Sequence, residues 1–337
     1  MYNKKMCIFD LDGTLNLKDR RLSVEILKLA RMGVDFIVST GRSNSYVTST
    51  FRKNRILPPR YIIADNGGSI YDTRKRKFLR KTLLPSDKRK AVISEFLRLG
   101  GNLEDIRFSD GNTLYVADDE HVRKYYANDS VMYCRKKDIV NEVLRDDTDV
   151  IKITLSGKRE LIGKLEEHIK EQGIECFTDA GATKFPEKSR GNIRLDITDS
   201  QMSKGEGVRF LVENLGINRF LCVGNGMNDF SMFKYAIDTD NKVLVVRNFE
   251  RGKLQKESEE LIRRTQEYAG AKGKGQNLIL VSYPVNGLVG SMEEKEYNRK
   301  LSKEFIHRVK RTDDTHRLKA KVFIKPKPRR DRNGREH

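Results

Sequence analysis

The sequence predicts an α/β protein, a doubly wound parallel sheet interrupted by an inserted α+β domain. Three observations carry that prediction. Apolar runs of the kind buried on both faces of a parallel sheet recur and end in polar, glycine-bearing loops. Stretches with helical spacing alternate with these runs. Between residues 83 and 188 that alternation gives way to short alternating strands and two helices.

The first run, Met6-Cys-Ile-Phe9, leads into Asp10-Leu-Asp12-Gly13. Leu22, Ile26, Leu29 and Ala30 then recur at helical spacing, Gly33 supplies a C-cap, and Val34-Asp-Phe-Ile-Val-Ser39 is the next strand. Strand, helix and strand in that order imply a right-handed parallel crossover. Tyr61-Ile-Ile-Ala64 runs into Asn66-Gly67-Gly68 and Ser69-Ile-Tyr-Asp72, and Asn-Gly between apolar segments signals a hairpin. Within 83–188 we expect a helix over 86–98, a strand at Ile151-Lys-Ile-Thr-Leu155 and an amphipathic helix near 159–172, a mixture that suits an antiparallel sheet. The α/β pattern then resumes with a strand at Ile193-Arg-Leu-Asp-Ile197, a helix from Lys204, a buried strand Phe220-Leu-Cys-Val223, a helix from Asn228 to Ala236 and a strand Val243-Leu-Val-Val246. The expected organisation is a discontinuous core of 1–82 and 189–290, an inserted domain of 83–188, and a flexible basic tail of 291–337. Ligands of such sheets gather at the carboxyl ends of the strands.

At 337 residues, two domains or one domain with a large insertion is the natural size class. No apolar run approaches the roughly 20 residues needed to span a bilayer. The N-terminus enters the first strand without the apolar stretch of a secretory signal, so a cytosolic location is expected. Cys7, Cys134, Cys176 and Cys222 are far apart and suit reduced core thiols better than zinc or disulfides, and the five histidines form no ligand spacing. Any metal would be held by oxygen, which favours Mg²⁺. A net charge of +19 raises anionic partners, and nine Lys/Arg against two acids lie between Thr315 and His337. That arm has Phe323 as its single aromatic, so base stacking with nucleic acid is not indicated.

Four strand-end loops carry chemistry. Asp10 and Asp12 alternate along an extended segment and so share a side, and Gly13 lets the chain turn. Two such acids can divide labour, one ionised as nucleophile or metal ligand and the other carrying a proton. Ser39-Thr40-Gly41-Arg42 offers a hydroxyl, a bared amide and a guanidinium to phosphate oxygens. Lys204 falls in the first turn of a helix whose Ser203 and Glu206 have capping-box spacing, a place where the helix dipole disfavours a cation unless an anion is bound. Gly224-Asn-Gly-Met-Asn-Asp229 fills a βα turn with polar side chains.

In this order, the four loops resemble the motifs of the haloacid dehalogenase superfamily of phosphohydrolases. The large insertion, with Asn66-Gly67 before it and Ile193-Arg-Leu-Asp-Ile-Thr near its end, looks like the Cof-type subgroup, whose α/β cap covers the active site. The resemblance implies that Asp10 attacks phosphorus to form an aspartyl-phosphate while Asp12 protonates the leaving alcohol and then activates water. It implies Mg²⁺ on Asp10, on the Asp12 carbonyl and on Asn225, with Asp229 in the outer shell. Thr40, Gly41, Arg42 and Lys204 would hold phosphate oxygens, Asn228 would orient substrate or Lys204, and Asn66 would line the substrate. The family usually has Asp where Asn225 stands, so the metal site here has one negative charge fewer. The leading expectation is a Mg²⁺-dependent phosphatase for a small sugar-phosphate-like metabolite. A phosphomutase or phosphotransferase, or an anion- or nucleic-acid-binding protein on a degraded scaffold, are the alternatives.

Overall fold

The computed structural model describes residues 5–15, 17, 21–117, 130–134, 138–172, 174–179, 192–250, 253–254 and 256–284. The expected tail of 291–337 lies outside them. The chain opens with β1 (Lys5–Phe9), α1 (Arg21–Arg31), β2 (Val34–Ser39), α2 (Asn44–Lys53), β3 (Tyr61–Ala64), β4 (Ser69–Asp72) and β5 (Lys77–Lys81). Next come α3 (Ser86–Arg98), β6 (Ile106–Ser109), β7 (Thr113–Ala117), β8 (Ser130–Cys134), α4 (Ile139–Leu144), β9 (Lys152–Lys158), α5 (Arg159–Glu171), β10 (Glu175–Asp179) and β11 (Asn192–Thr198). It closes with α6 (Lys204–Leu215), β12 (Arg219–Gly224), α7 (Phe230–Asp238), β13 (Lys242–Glu250), β14 (Lys253–Leu254), α8 (Lys256–Ala271) and β15 (Leu278–Pro284).

Two sheets result. In the larger, β13, β12, β1, β2 and β3 run parallel in that order, β15 lies parallel against β13, and β4 and β5 continue the far edge antiparallel. Alternation sends Met6 and Ile8 of β1 to one face, where they join Val208 and Leu211 of α6 and Phe233 of α7, and Cys7 and Phe9 to the other, against Leu29 of α1 and Phe51 of α2. Helices on both faces are what a doubly wound sheet requires. Cys7 and Cys222 are free and buried, and burial pushes the Cys7 thiol up to about 12, so it is inert.

The smaller sheet has the order β10, β11, β9, β6, β7, β8, antiparallel except for the β7–β8 pair. Its core packs Val92 and Phe96 of α3 and Ile162 and Leu165 of α5 onto Phe108, Ile153 and Leu195. The opposite face carries Arg107, Ser109, Lys152, Thr154 and Asp196, which are buried even so.

The expected boundary at Lys188 assigns Ile193–Ile197 to the parallel core, whereas β11 lies between β10 and β9 in the smaller sheet, so the insertion runs past Lys188 to Thr198. The reason is visible in its composition. Ile193, Leu195 and Ile197 face the apolar core while Arg194, Asp196 and Thr198 alternate away, which is the pattern of a one-sided antiparallel strand.

Candidate active site

In register, Phe9 of β1 stands opposite Val38 of β2 on one side and Val223 of β12 on the other, so the three strands end at one edge. That register brings Asp10, Thr40 and the 224–229 loop together although 30 and about 215 residues separate them in sequence. The Asp10 amide donates to Val223 O at 2.8 Å, fixing where β1 stops.

Ser203 caps α6 by accepting from the Glu206 amide at 3.1 Å, so Lys204 is the first helical residue. Its side chain is fully buried, and Nζ donates to Asp10 Oδ1 and to Asp229 Oδ1, each at 2.6 Å. Burial alone would push this ammonium down, but the two carboxylates hold it above the usual lysine range. Asp229 is itself fully buried, and its Oδ2 accepts from the amides of Asn225 and Gly226 at 2.8 and 3.0 Å. Burial, opposed by Lys204 and reinforced by Asp229 and Asp12, pushes Asp10 up to about 7.

Asp12 occupies a different environment. Its side chain is 55% exposed and accepts from Arg42 Nε at 2.8 Å and Nη2 at 3.3 Å. Arg42 also lies over the Tyr46 ring, 4.8 Å from its centroid. The two acids therefore stand in different environments, one sheltered and one reached by water.

Thr40 is buried, and its Oγ1 accepts from the Arg42 amide at 3.1 Å, which leaves the hydroxyl proton to donate elsewhere. The Asp65–Gly67 turn after β3 presses against this loop. Asn66 adopts a left-handed conformation at φ 56°, accepts from Asn228 Nδ2 at 3.3 Å, and comes so near Gly41 that a Cβ there would lie 2.9 Å from Asn66 Oδ1. Gly67, at φ 100°, lies against the Ser203 carbonyl, and any side chain would collide with it.

All the residues singled out in the sequence thus gather at one strand-end edge, with some different partners. Arg42 was expected on phosphate and is engaged with Asp12. Asn228 pairs with Asn66, and Lys204 is bound by Asp10 and Asp229. Asn225 Oδ1 accepts from Thr14 Oγ1 at 2.8 Å, and the same hydroxyl lies 3.2 Å from Asp10 Oδ2. Thr14 did not enter the sequence-derived site, although it ends the Asp-Gly-Thr run. Lys152, Asp65 and Asp196 were missed as well. Lys152 donates to the Gly41 carbonyl and stands 3.7 Å from Asp65 Oδ1 and Asp196 Oδ2. No helix among the described residues is long and apolar enough to cross a membrane.

Comparison with known proteins bears on the fold and the family. A Mycoplasma pneumoniae protein named "Putative phosphatase" is 21% identical over 255 residues, covering 68% of this chain and 81% of its own. The fold matches a haloacid dehalogenase-like hydrolase from Bacteroides thetaiotaomicron with a TM-score of 0.60 at 18% identity, over 91% of this chain and 99% of that one. A haloacid dehalogenase subclass IIB sugar phosphatase matches with a TM-score of 0.57 at 17% identity, over 90% of this chain and 100% of that one. The family model described as haloacid dehalogenase-like hydrolase matches residues 7–245, more than half of the sequence and every one of the four loops, so the chain belongs to the haloacid dehalogenase-like hydrolases.

Proposed function

We propose that the protein is a phosphatase that hydrolyses a small phosphorylated metabolite, sugar-phosphate-like, through an aspartyl-phosphate on Asp10. The observation that carries this reading is the Asp10 carboxylate, sheltered at a strand end and gripped by Lys204, two residues before a carboxylate that stands in solvent. One fold neighbour is a sugar phosphatase, which accords with the substrate class. A cytosolic setting accords with the free thiols of Cys7 and Cys222.

The donor set fits Mg²⁺. Asp10 Oδ2 and Asn225 Oδ1 both reach the Thr14 hydroxyl, at 3.2 and 2.8 Å, so two oxygens of the expected ligand set lie side by side. Among the described residues no three His, Cys, Asp or Glu group to hold a metal, so amide and carbonyl oxygens would complete the set, as suits an ion that keeps several waters. Asp10, the Asp12 carbonyl and Asn225 would hold the ion, with Asp229 behind them. When bound, it would neutralise charge on the nucleophile and on the transferring phosphoryl group.

The chain's own residues then divide the work. An Asp10 oxygen attacks phosphorus as the ester P–O bond breaks, and Asp12 gives its proton to the leaving alkoxide. Thr40, the Gly41 amide and Lys204 face the phosphoryl oxygens with a preorganised positive field. Asp12, now a carboxylate, takes a proton from water, which attacks phosphorus and releases inorganic phosphate with Asp10 restored. Release of phosphate separates hydrolysis from a mutase reaction. Turnover of p-nitrophenyl phosphate should appear with Mg²⁺ and vanish in Asp10→Asn, and equal rates in both proteins overturn the reading.

A further inference from the structure

Lys152 opens β9, where Ile153 and Leu155 enter the smaller sheet's core while Lys152 and Thr154 face away from it. That face meets the active-site edge of the larger sheet. The buried Lys152 ammonium donates to the Gly41 carbonyl and sits between two buried acids, Asp65 and Asp196. Burial alone would push Asp196 up, but Lys152, Arg194, the Thr154 hydroxyl and Arg42 together hold it below the usual carboxylate range.

What the lysine holds is the Gly41–Arg42 peptide. Lys152 takes its carbonyl and Thr40 Oγ1 takes its N–H, so the peptide plane is pinned at both ends. Pinning the N–H fixes one lone pair of the Thr40 hydroxyl, and with it the direction of the remaining proton. Asp65 and Asn66 both adopt left-handed conformations, φ 51° and 56°, which non-glycine residues keep only where surrounding contacts impose them. Their amides donate to Arg42 O and Thr40 O, each at 3.0 Å. The loop and the strained turn therefore brace each other, and the lysine joins them from a different sheet.

We propose that Lys152 is a positioning residue: it clamps the Gly41–Arg42 peptide and Asp65, and so aims the Thr40 hydroxyl and the Gly41 amide at the phosphoryl group. Its effect on turnover rests on the phosphatase reading above, whereas its effect on the loop does not. Both are measurable. In Lys152→Met and in the smaller change Lys152→Gln, hydrogen exchange at the amides of Arg42, Asp65 and Asn66 should quicken by about 10-fold or more, with Cys7 to Phe9 protected as in the parent. Unchanged protection at those three amides overturns the proposal, and so does deprotection that extends through β1 in both variants. In turnover, Lys152→Met should lower kcat by about 10- to 100-fold alike for p-nitrophenyl phosphate and a sugar phosphate, with KM within about 3-fold, and Lys152→Arg should recover most of it. A rise in KM for the sugar ester alone, with kcat kept, would make Lys152 a substrate contact and overturn the clamp. If the parent protein hydrolyses neither ester, the phosphatase reading falls and the exchange result alone decides the role of Lys152.

Discussion

Lys204 Nζ and Asp10 Oδ1 stand 2.6 Å apart across 194 positions of sequence, and the same ammonium lies 2.6 Å from Asp229 Oδ1. One buried cation thus serves two buried acids. Removing it leaves both without their partner, which costs more than the pair itself contributes. Lys204→Met should lower stability by about 3–5 kcal/mol at pH 7, read from denaturant midpoints. Without the pull of the lysine, Asp10 holds its proton to still higher pH than in wild type, so the folded variant binds more protons than folded wild type near pH 7. The deficit should therefore shrink as pH falls from 7 to 5, and a deficit independent of pH would contradict this account.

Asp10 gives a second pH dependence. Burial first, then Asp229 and Asp12, push it up to about 7 against the pull of Lys204. A folded pKa above the unfolded value near 3.8 means a contribution to stability fully present below about pH 4 and lost as pH rises through about 7. Metal-free wild type compared with Asp10→Asn should lose relative stability across that window and level off above it. Added Mg²⁺, which needs the carboxylate ionised, should flatten the difference.

How much of this could be read in the sequence follows the physics of each element. Strands β1, β2 and β12 are continuous apolar runs because both their faces are covered, and a carboxylate or hydroxyl at the end of such a run has to meet something polar. That is why Asp10, Thr40 and the 224–229 loop were legible. Strand β11 was misplaced because an alternating segment such as Ile193–Ile197 shows which residues share a face and not which sheet it joins. Lys152 was invisible for a related reason. A lysine on the polar face of an alternating strand looks solvated, and only the packing of one sheet over the other buries it against Gly41. Asn66-Gly67 did mark a turn between antiparallel β3 and β4, but its closeness to Gly41 and Ser203 depends on contacts far away in sequence.

Asn225 contributes an oxygen without a charge beside Asp10. In Asn225→Asp a carboxylate should tighten Mg²⁺ by about 10-fold or more, read by calorimetry or by the metal dependence of Tm. The same change places another acid near Asp10 and Asp229, so the metal-free variant should melt below wild type and recover as Mg²⁺ is added. Equal Mg²⁺ affinity in the two proteins would place the ion away from this side chain.

Asp12 should matter in proportion to how badly the leaving group needs a proton. An alkoxide leaving a sugar phosphate is a poor leaving group and, in the proposed mechanism, would take its proton from Asp12, whereas p-nitrophenolate departs with little help. Asp12→Asn should therefore slow aspartyl-phosphate formation by about 100-fold or more on the sugar ester and by much less on p-nitrophenyl phosphate. In the proposed mechanism the second step is the same for both esters, since water would attack one common aspartyl-phosphate with Asp12 as base in either case. On p-nitrophenyl phosphate the variant should then form the intermediate faster than it destroys it. Rapid mixing should show a burst of nitrophenolate approaching one equivalent per active site, followed by slow turnover. The side chain stands half-exposed, asparagine keeps an oxygen that can accept from Arg42, and Arg42 keeps its place over the Tyr46 ring, so the fold should survive the change. Equal losses on both esters with no burst would remove Asp12 from the proton-carrying role and leave it as a partner of Arg42.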